Sequence, residues 1–325
     1  MASAAGGCAS LAALGATESR ALAELERAPN LRACSRGATF GPDGRRRGIE
    51  GTQPFDSKAR PTGIPSPRPM KLRVFAFLIM AALVGSNPAP AEQFSALVFS
   101  KTAGWHHDSI PAGVAAIQDL GKLHDFGVFW TEDANRVFND KELAKYKVVI
   151  FLSTTGDVLN PEQKAAFERF IRAGGGFVGI HSASDTEYNW PWYTKMVGRM
   201  FHIHPAIQTA TMKVEDYNFP GMDRFAKRFL FTEEWYQFDE PRVDKLHYLL
   251  SVDEKTYHPE AKWDTKEGHG MGAFHPVSWY QPYDGGRAFY TALGHLPATY
   301  SDPNFRHHLF GGIYWAATGN GFSAE

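Results

Sequence analysis

Residues 161–185 read PEQKAAFERFIRAGGGFVGIHSASD. Asn160 can cap a helix and Pro161 suits its first position, so a helix is predicted over 161–173. Phe167, Phe170 and Ile171 share one face of it, and Gly174-Gly175-Gly176 ends it. Phe177–Ile180 then runs apolar throughout, the pattern of a strand buried on both faces. Upstream, the same alternation repeats. Ser95–Ser100 and Gly127–Trp130 read as buried strands, with a helix over Ser109–Gly121 between them. A short helix over Asp140–Tyr146 leads to a strand over Lys147–Leu152. Strands alternating with helices predict an α/β fold with a parallel sheet covered on both faces. Downstream, strand-like runs near Thr209–Val214, Leu246–Ser251, Pro276–Tyr280 and Arg287–Ala292, with a hairpin signal at Asp284-Gly285-Gly286, predict an antiparallel elaboration before a final helix from Asn304 to Ala317.

The beginning of the chain has a different character. Residues 1–69 carry 10 Lys+Arg against 6 Asp+Glu and contain neither Trp nor Tyr. Ala, Gly, Arg and Pro dominate, and such a segment cannot bury enough surface to offset its ordering entropy, so disorder is expected. Met70 is followed by Lys71 and Arg73, an apolar run over Val74–Val84, helix breakers over Gly85–Pro88 and the small residues Ala89-Pro90-Ala91. These are the three regions of a secretory signal in order. Signals act at the start of a chain. The expectation is that Met70 is the initiator, residues 1–69 a misassigned upstream extension, 70–91 a signal peptide and 92–325 the exported domain, periplasmic or secreted. A genuine leader over 1–69 is the alternative.

Residues 92–325 hold 22 Lys+Arg and 29 Asp+Glu, and no basic run, which argues against a nucleic-acid partner. No apolar run approaches the ~20 residues of a membrane span. Both cysteines, Cys8 and Cys34, precede Met70, so this stretch has no disulfide, thiolate metal site or Cys nucleophile. All 13 histidines and 40 of the 44 aromatic residues fall within it, a bias that points to chemistry at imidazoles and a surface rich in flat rings.

The triple glycine ends a helix and opens a strand, the reverse of a dinucleotide-binding loop, and is read as a helix cap. His181 stands at the carboxyl end of its strand, where open α/β sheets place their ligands, in the position a nucleophile elbow gives to Ser or Cys. An imidazole there is a general acid, base or ligand, or else a buried hydrogen-bonded histidine. Trp105-His106-His107-Asp108 follows the first strand and so shares that crevice, with Asp108 also placed to cap a helix. His202-Ile203-His204 has the spacing that aims two rings one way from an extended segment, which suits a divalent metal or a substrate contact. Glu233-Glu234 beside Trp235 and Tyr236, and His295 after the last strand, could divide acid and base work. Trp190, Trp192, Tyr193, Trp235, Tyr236, Trp279 and Tyr280 suit the apolar faces of sugars, or an aromatic core.

Taken together, WHHDSI (105–110), GGGFVGIHSASDTEYNWPWY (174–193), FHIHP (201–205), EEWYQF (233–238), HPVSWYQPYDGGRAFYTALGH (275–295) and HHLFGGIYWAATG (307–319) resemble the trehalose-utilisation (ThuA-like) family, from about Ser95 to Gly319. The resemblance implies a class I glutamine-amidotransferase-like fold, a flavodoxin-like parallel sheet, without the amidotransferase Cys. It also implies processing of a glycoside or keto-sugar, in a pathway shared with sugar dehydrogenases that make 3-keto derivatives. By motif position it carries over His107, His181, Asp185, Glu234 and His295 as catalytic candidates, and Tyr193, His204 and Tyr236 as substrate contacts. Glu233 stands where an Asp is common.

The leading expectation is an exported carbohydrate-processing enzyme using His and carboxylate proton transfer on a small sugar. A divalent metal polarising sugar oxygens is compatible with it but not required. A non-catalytic sugar-binding protein and a metal-dependent esterase or amidase are the alternatives.

Overall fold

A computed structural model describes residues 92–322, and the extension expected over 1–69 and the signal expected over 70–91 lie outside the described residues. The first half alternates as its sequence predicts: β1 (Ser95–Phe99), α1 (Ile110–Leu123), β2 (Gly127–Thr131), α2 (Ala134–Val137), α3 (Asp140–Leu143), β3 (Val148–Leu152), α4 (Pro161–Arg172) and β4 (Gly176–Ile180). Asn160 caps α4 reciprocally with Gln163, and Pro161 occupies its first turn. Ser109 behaves otherwise. Its side chain caps nothing; the hydroxyl instead donates to the Gly294 carbonyl at 2.8 Å. Nor does Gly121 stop α1, which continues to Leu123. A Cβ at Gly121 would lie 2.7 Å from the Phe126 carbonyl oxygen, so glycine lets the helix approach the chain entering β2.

After β4 come a single 3₁₀ turn over His181–Asp185 and α5 (Pro191–Val197). The second half supplies β5 (Phe201–Ile203), β6 (Gln208–Val214), β7 (Arg228–Glu233), β8 (Gln237–Phe238), β9 (His247–Val252), β10 (Glu260–Lys262), β11 (Glu267–His269), β12 (His275–Tyr283), β13 (Gly286–Thr291) and α6 (Pro303–Thr318). Nine strands form one sheet in the order β2-β1-β3-β4-β13-β12-β9-β6-β7. Strands β2, β1, β3, β4 and β13 are parallel, the flavodoxin-like order with β13 in fifth place. From β13 onward every pairing is antiparallel. Two small two-stranded sheets, β5-β8 and β10-β11, are additions that the sequence pattern does not announce. This is the expected α/β architecture with an antiparallel elaboration.

Strands β3 and β4 are buried along their whole length, which is why they read as unbroken apolar runs. Phe151 lies at the centre of an aromatic core, with ring centroids 5.3 to 5.6 Å from Phe99, Phe167, Phe177 and Tyr193. Much of the aromatic excess is therefore packing. Among the described residues no helix is long and apolar enough to cross a membrane.

Candidate functional site

Parallel strands present their carboxyl ends at one rim, and three of them deliver a histidine there. His107 follows β1, His181 follows β4 and His295 follows β13. Alternating antiparallel steps from β13 through β12, β9 and β6 leave β7 running in the same sense as β13. The residue after β7, Glu234, thus emerges at that rim as well. One side-chain ligand atom from each of His107, His181, Glu234 and His295 lies within 4.8 Å of every other. Four segments spread over almost 190 residues of chain meet at one place.

His181 is the hub and is fully buried. It adopts the left-handed region at φ 52°, the strained elbow that turns its ring off the end of β4 into the cluster. Its Nδ1 lies 2.8 Å from the Ala292 carbonyl. A carbonyl only accepts, so Nδ1 carries a proton, and the neutral ring leaves a lone pair on Nε2. Around Nε2 stand the Tyr236 hydroxyl at 2.8 Å, His107 Nε2 at 3.2 Å, His295 Nδ1 at 3.3 Å and Glu234 Oε2 at 3.5 Å. Glu234 also meets His295 Nδ1 at 3.0 Å and, through Oε1, His204 Nε2 at 3.2 Å.

Charge is divided among these groups. Burial opposes ionisation of Glu234, but the contact with His181, the hydrogen bond from His295 and the surrounding imidazoles hold its carboxyl well below the usual carboxylate range. Burial likewise works against a proton on His295, yet its hydrogen bond to Glu234 raises its affinity for one. His107 goes the other way: burial, followed by the neighbouring His181 and His295, pushes it down to about 3, so it is neutral at ordinary pH.

The cluster forms the floor of a cavity of about 460 Å³, lined by Trp105, His107, Asp185, Phe201, His204, Glu234, Tyr236, Trp263 and His295. That volume is within the roughly 300–1,000 Å³ of small-molecule sites. Asp185 lies in the wall, accepting a hydrogen bond from the Tyr188 hydroxyl at 2.8 Å, and burial raises its pKa. Tyr193 does not reach the cavity. It is fully buried in the core, its hydroxyl donating to the Ala183 carbonyl at 2.8 Å, which corrects the expectation of a substrate contact. The two histidines of 202–204 also part company: His202 Nε2 turns to the Glu267 carbonyl at 3.0 Å, and only His204 faces the cluster. A metal held by this pair together is therefore excluded by their geometry.

Two kinds of role were not legible in the sequence. Trp105 and Trp263 supply aromatic wall, while Trp190, Trp235 and Trp279 are core. Trp263 stands among charged residues in a short turn, where no core can hold it, and that is the signal that could have found it. The other is Glu233, read with Glu234 as part of an acid–base set but fully buried away from the cavity. Its Oε1 accepts from Gly294 N at 2.9 Å and from the Thr299 hydroxyl, and its Oε2 accepts from Glu234 N at 3.0 Å. It therefore fixes the backbone on either side of the site. Gly294 itself has φ 120°, and a Cβ there would lie 2.6 Å from the Tyr300 hydroxyl.

The profile of a family described as trehalose utilisation, ThuA, matches residues 95–316. Among solved structures, a ThuA-like protein from Bacteroides uniformis is similar at 23% identity and a TM-score of 0.60, covering 71% of this chain and 94% of that one. A ThuA-like protein from Parabacteroides merdae is similar at 17% identity and a TM-score of 0.58, covering 71% of this chain and 92% of that one. At these identities the two structures show a shared fold. A search of curated proteins finds no match. With the family profile spanning about two thirds of its length, the chain belongs to the ThuA, or trehalose-utilisation, family.

Proposed function

We propose that this chain is an exported carbohydrate-processing enzyme acting on a glycoside or keto-sugar of the trehalose type by His and carboxylate chemistry. Membership in a family described as trehalose utilisation supports a carbohydrate-related role in general. The observation that carries the finer reading is the cavity itself: an ionised carboxylate among imidazoles on the floor, and the flat rings of Trp105, Phe201, Tyr236 and Trp263 in the walls. Rings of that kind pack against the apolar faces of a pyranose, while polar groups take its hydroxyls. Glu234 favours a proton on His295, and His107 stays neutral beside them. Groups whose proton affinities are pushed apart at one site can give and take a proton at a sugar oxygen in turn.

Calorimetry of the purified chain with trehalose and 3-keto-trehalose, followed by product analysis, tests the reading. Saturable binding with product formation is expected. Binding without product would make this a sugar-binding protein, and no binding of either sugar would remove the carbohydrate reading of the cavity. Export through Met70–Ala91 is part of the same proposal. Mass spectrometry of the exported protein is expected to find an N-terminus near Glu92, and one upstream of Met70 would overturn it.

A further inference from the structure

We propose that His107, His181, Glu234 and His295 form a binding site for one divalent first-row transition-metal ion. The argument begins with the His181 lone pair. A lone pair has one axis and accepts one good hydrogen bond, here from the Tyr236 hydroxyl at 2.8 Å. Yet three further atoms, two imidazole nitrogens and a carboxylate oxygen, crowd the same nitrogen at 3.2, 3.3 and 3.5 Å. Hydrogen bonding to that lone pair does not account for all of them. A coordination polyhedron does. With metal–nitrogen distances of about 2.0–2.1 Å, neighbouring ligands of a tetrahedral site stand about 3.3 Å apart. The separations around His181, and the 3.0 Å between Glu234 and His295, are of that size, and the remaining pairs, within 4.8 Å, would draw in on loading.

Supporting contacts are also in place. His181 donates its other ring proton to the Ala292 carbonyl, the partner that orients a metal-bound imidazole and leaves Nε2 to the ion. Glu234 keeps its second oxygen on His204, outside the set of four. Three imidazoles and one carboxylate select zinc, iron, cobalt, nickel or manganese over the harder magnesium and calcium, which favour all-oxygen shells. Because the cluster floors the cavity proposed for sugar, the inference builds on that reading: an ion here would draw on a carbonyl or hydroxyl oxygen of the sugar, and His204 and Asp185 would remain for proton transfer.

The test uses the full chain freed of metal by chelation, with binding read by calorimetry, elemental analysis and thermal melting. Zinc and manganese are titrated, with magnesium as the contrast. The expected result is about one transition ion per chain, a rise in melting temperature on loading, and no comparable response to magnesium. His107→Ala and Glu234→Gln are expected to weaken binding about 100-fold or more, whereas Asp185→Asn, in the wall but outside the set, leaves it within about twofold. Absence of stoichiometric transition-metal binding by the unaltered chain would overturn the proposal even if a ligand variant failed to fold. So would equal binding by Glu234→Gln. Sugar binding by the metal-free chain with no metal uptake would sink this inference alone. Metal uptake without sugar binding would sink the carbohydrate reading alone and leave the ion site standing.

Discussion

Glu234→Gln is expected to lower turnover of the sugar substrate by about 10²–10⁴-fold, the range lost when a proton-transfer group, or the carboxylate that holds an ion in its place, is removed. The substitution keeps shape and removes charge. It takes away the one carboxylate that touches His181, His204 and His295 together. The amide can still hydrogen bond at the cavity floor, so the melting temperature is expected to stay close to that of the unaltered chain. Steady-state turnover beside a thermal melt reads both quantities. Full activity in the variant would remove Glu234 from the chemistry, and a collapsed melt with no folded protein would assign it to the scaffold.

Glu233→Gln is expected to act on the scaffold and, through it, on the site. The native carboxylate accepts hydrogen bonds from Gly294 N, Glu234 N and the Thr299 hydroxyl while fully buried. An amide presents one accepting oxygen and one donating nitrogen, so at least one backbone N–H faces another donor. Leaving a buried partner unsatisfied in a charged network costs about 2–4 kcal/mol. For a domain of this size that corresponds to a melting temperature lower by roughly 4–16 °C. Turnover is expected to fall as well, because the displaced backbone carries Glu234 on one side and His295 on the other. Glu233→Asp, which keeps the charge but shortens the reach, should fall between the two. A Glu233→Gln variant as stable as the unaltered chain would mean that its hydrogen bonds contribute little.

The parallel half of the fold was legible because its strands are buried on both faces and its helices carry a 3.6-residue period, so composition and geometry coincide at Lys147–Leu152 and Phe177–Ile180. The same logic made His107, His181 and His295 conspicuous, since each lies in the segment that leaves the carboxyl end of a buried strand. Strands such as Gln237–Phe238 are too short to carry a period, and β7, with Leu230 exposed, is an edge whose pattern is weak. Aromatic function was the least legible. Tyr193 and Tyr236 are both buried tyrosines in aromatic-rich stretches, and only tertiary placement sends one hydroxyl to Ala183 and the other to His181. Adjacent carboxylates pose the same difficulty: Glu233 and Glu234 read as a pair, but one holds backbone and the other holds imidazoles.

The change from parallel to antiparallel pairing at β13 divides custody of the cavity. Strands β1, β4 and β13 bring three imidazoles, while the carboxylate, the tyrosine hydroxyl and His204 all arrive on chain inserted between β4 and β13. By themselves the five parallel strands bring His107, His181 and His295 to the rim, with Asp185 in the cavity wall as the acid of that half. The chain between β4 and β13 contributes Glu234, the carboxylate that meets the imidazoles, and with it the means to set where protons or cations rest, so residues 186–285 can be remodelled to change the chemistry while the imidazole rim is left untouched.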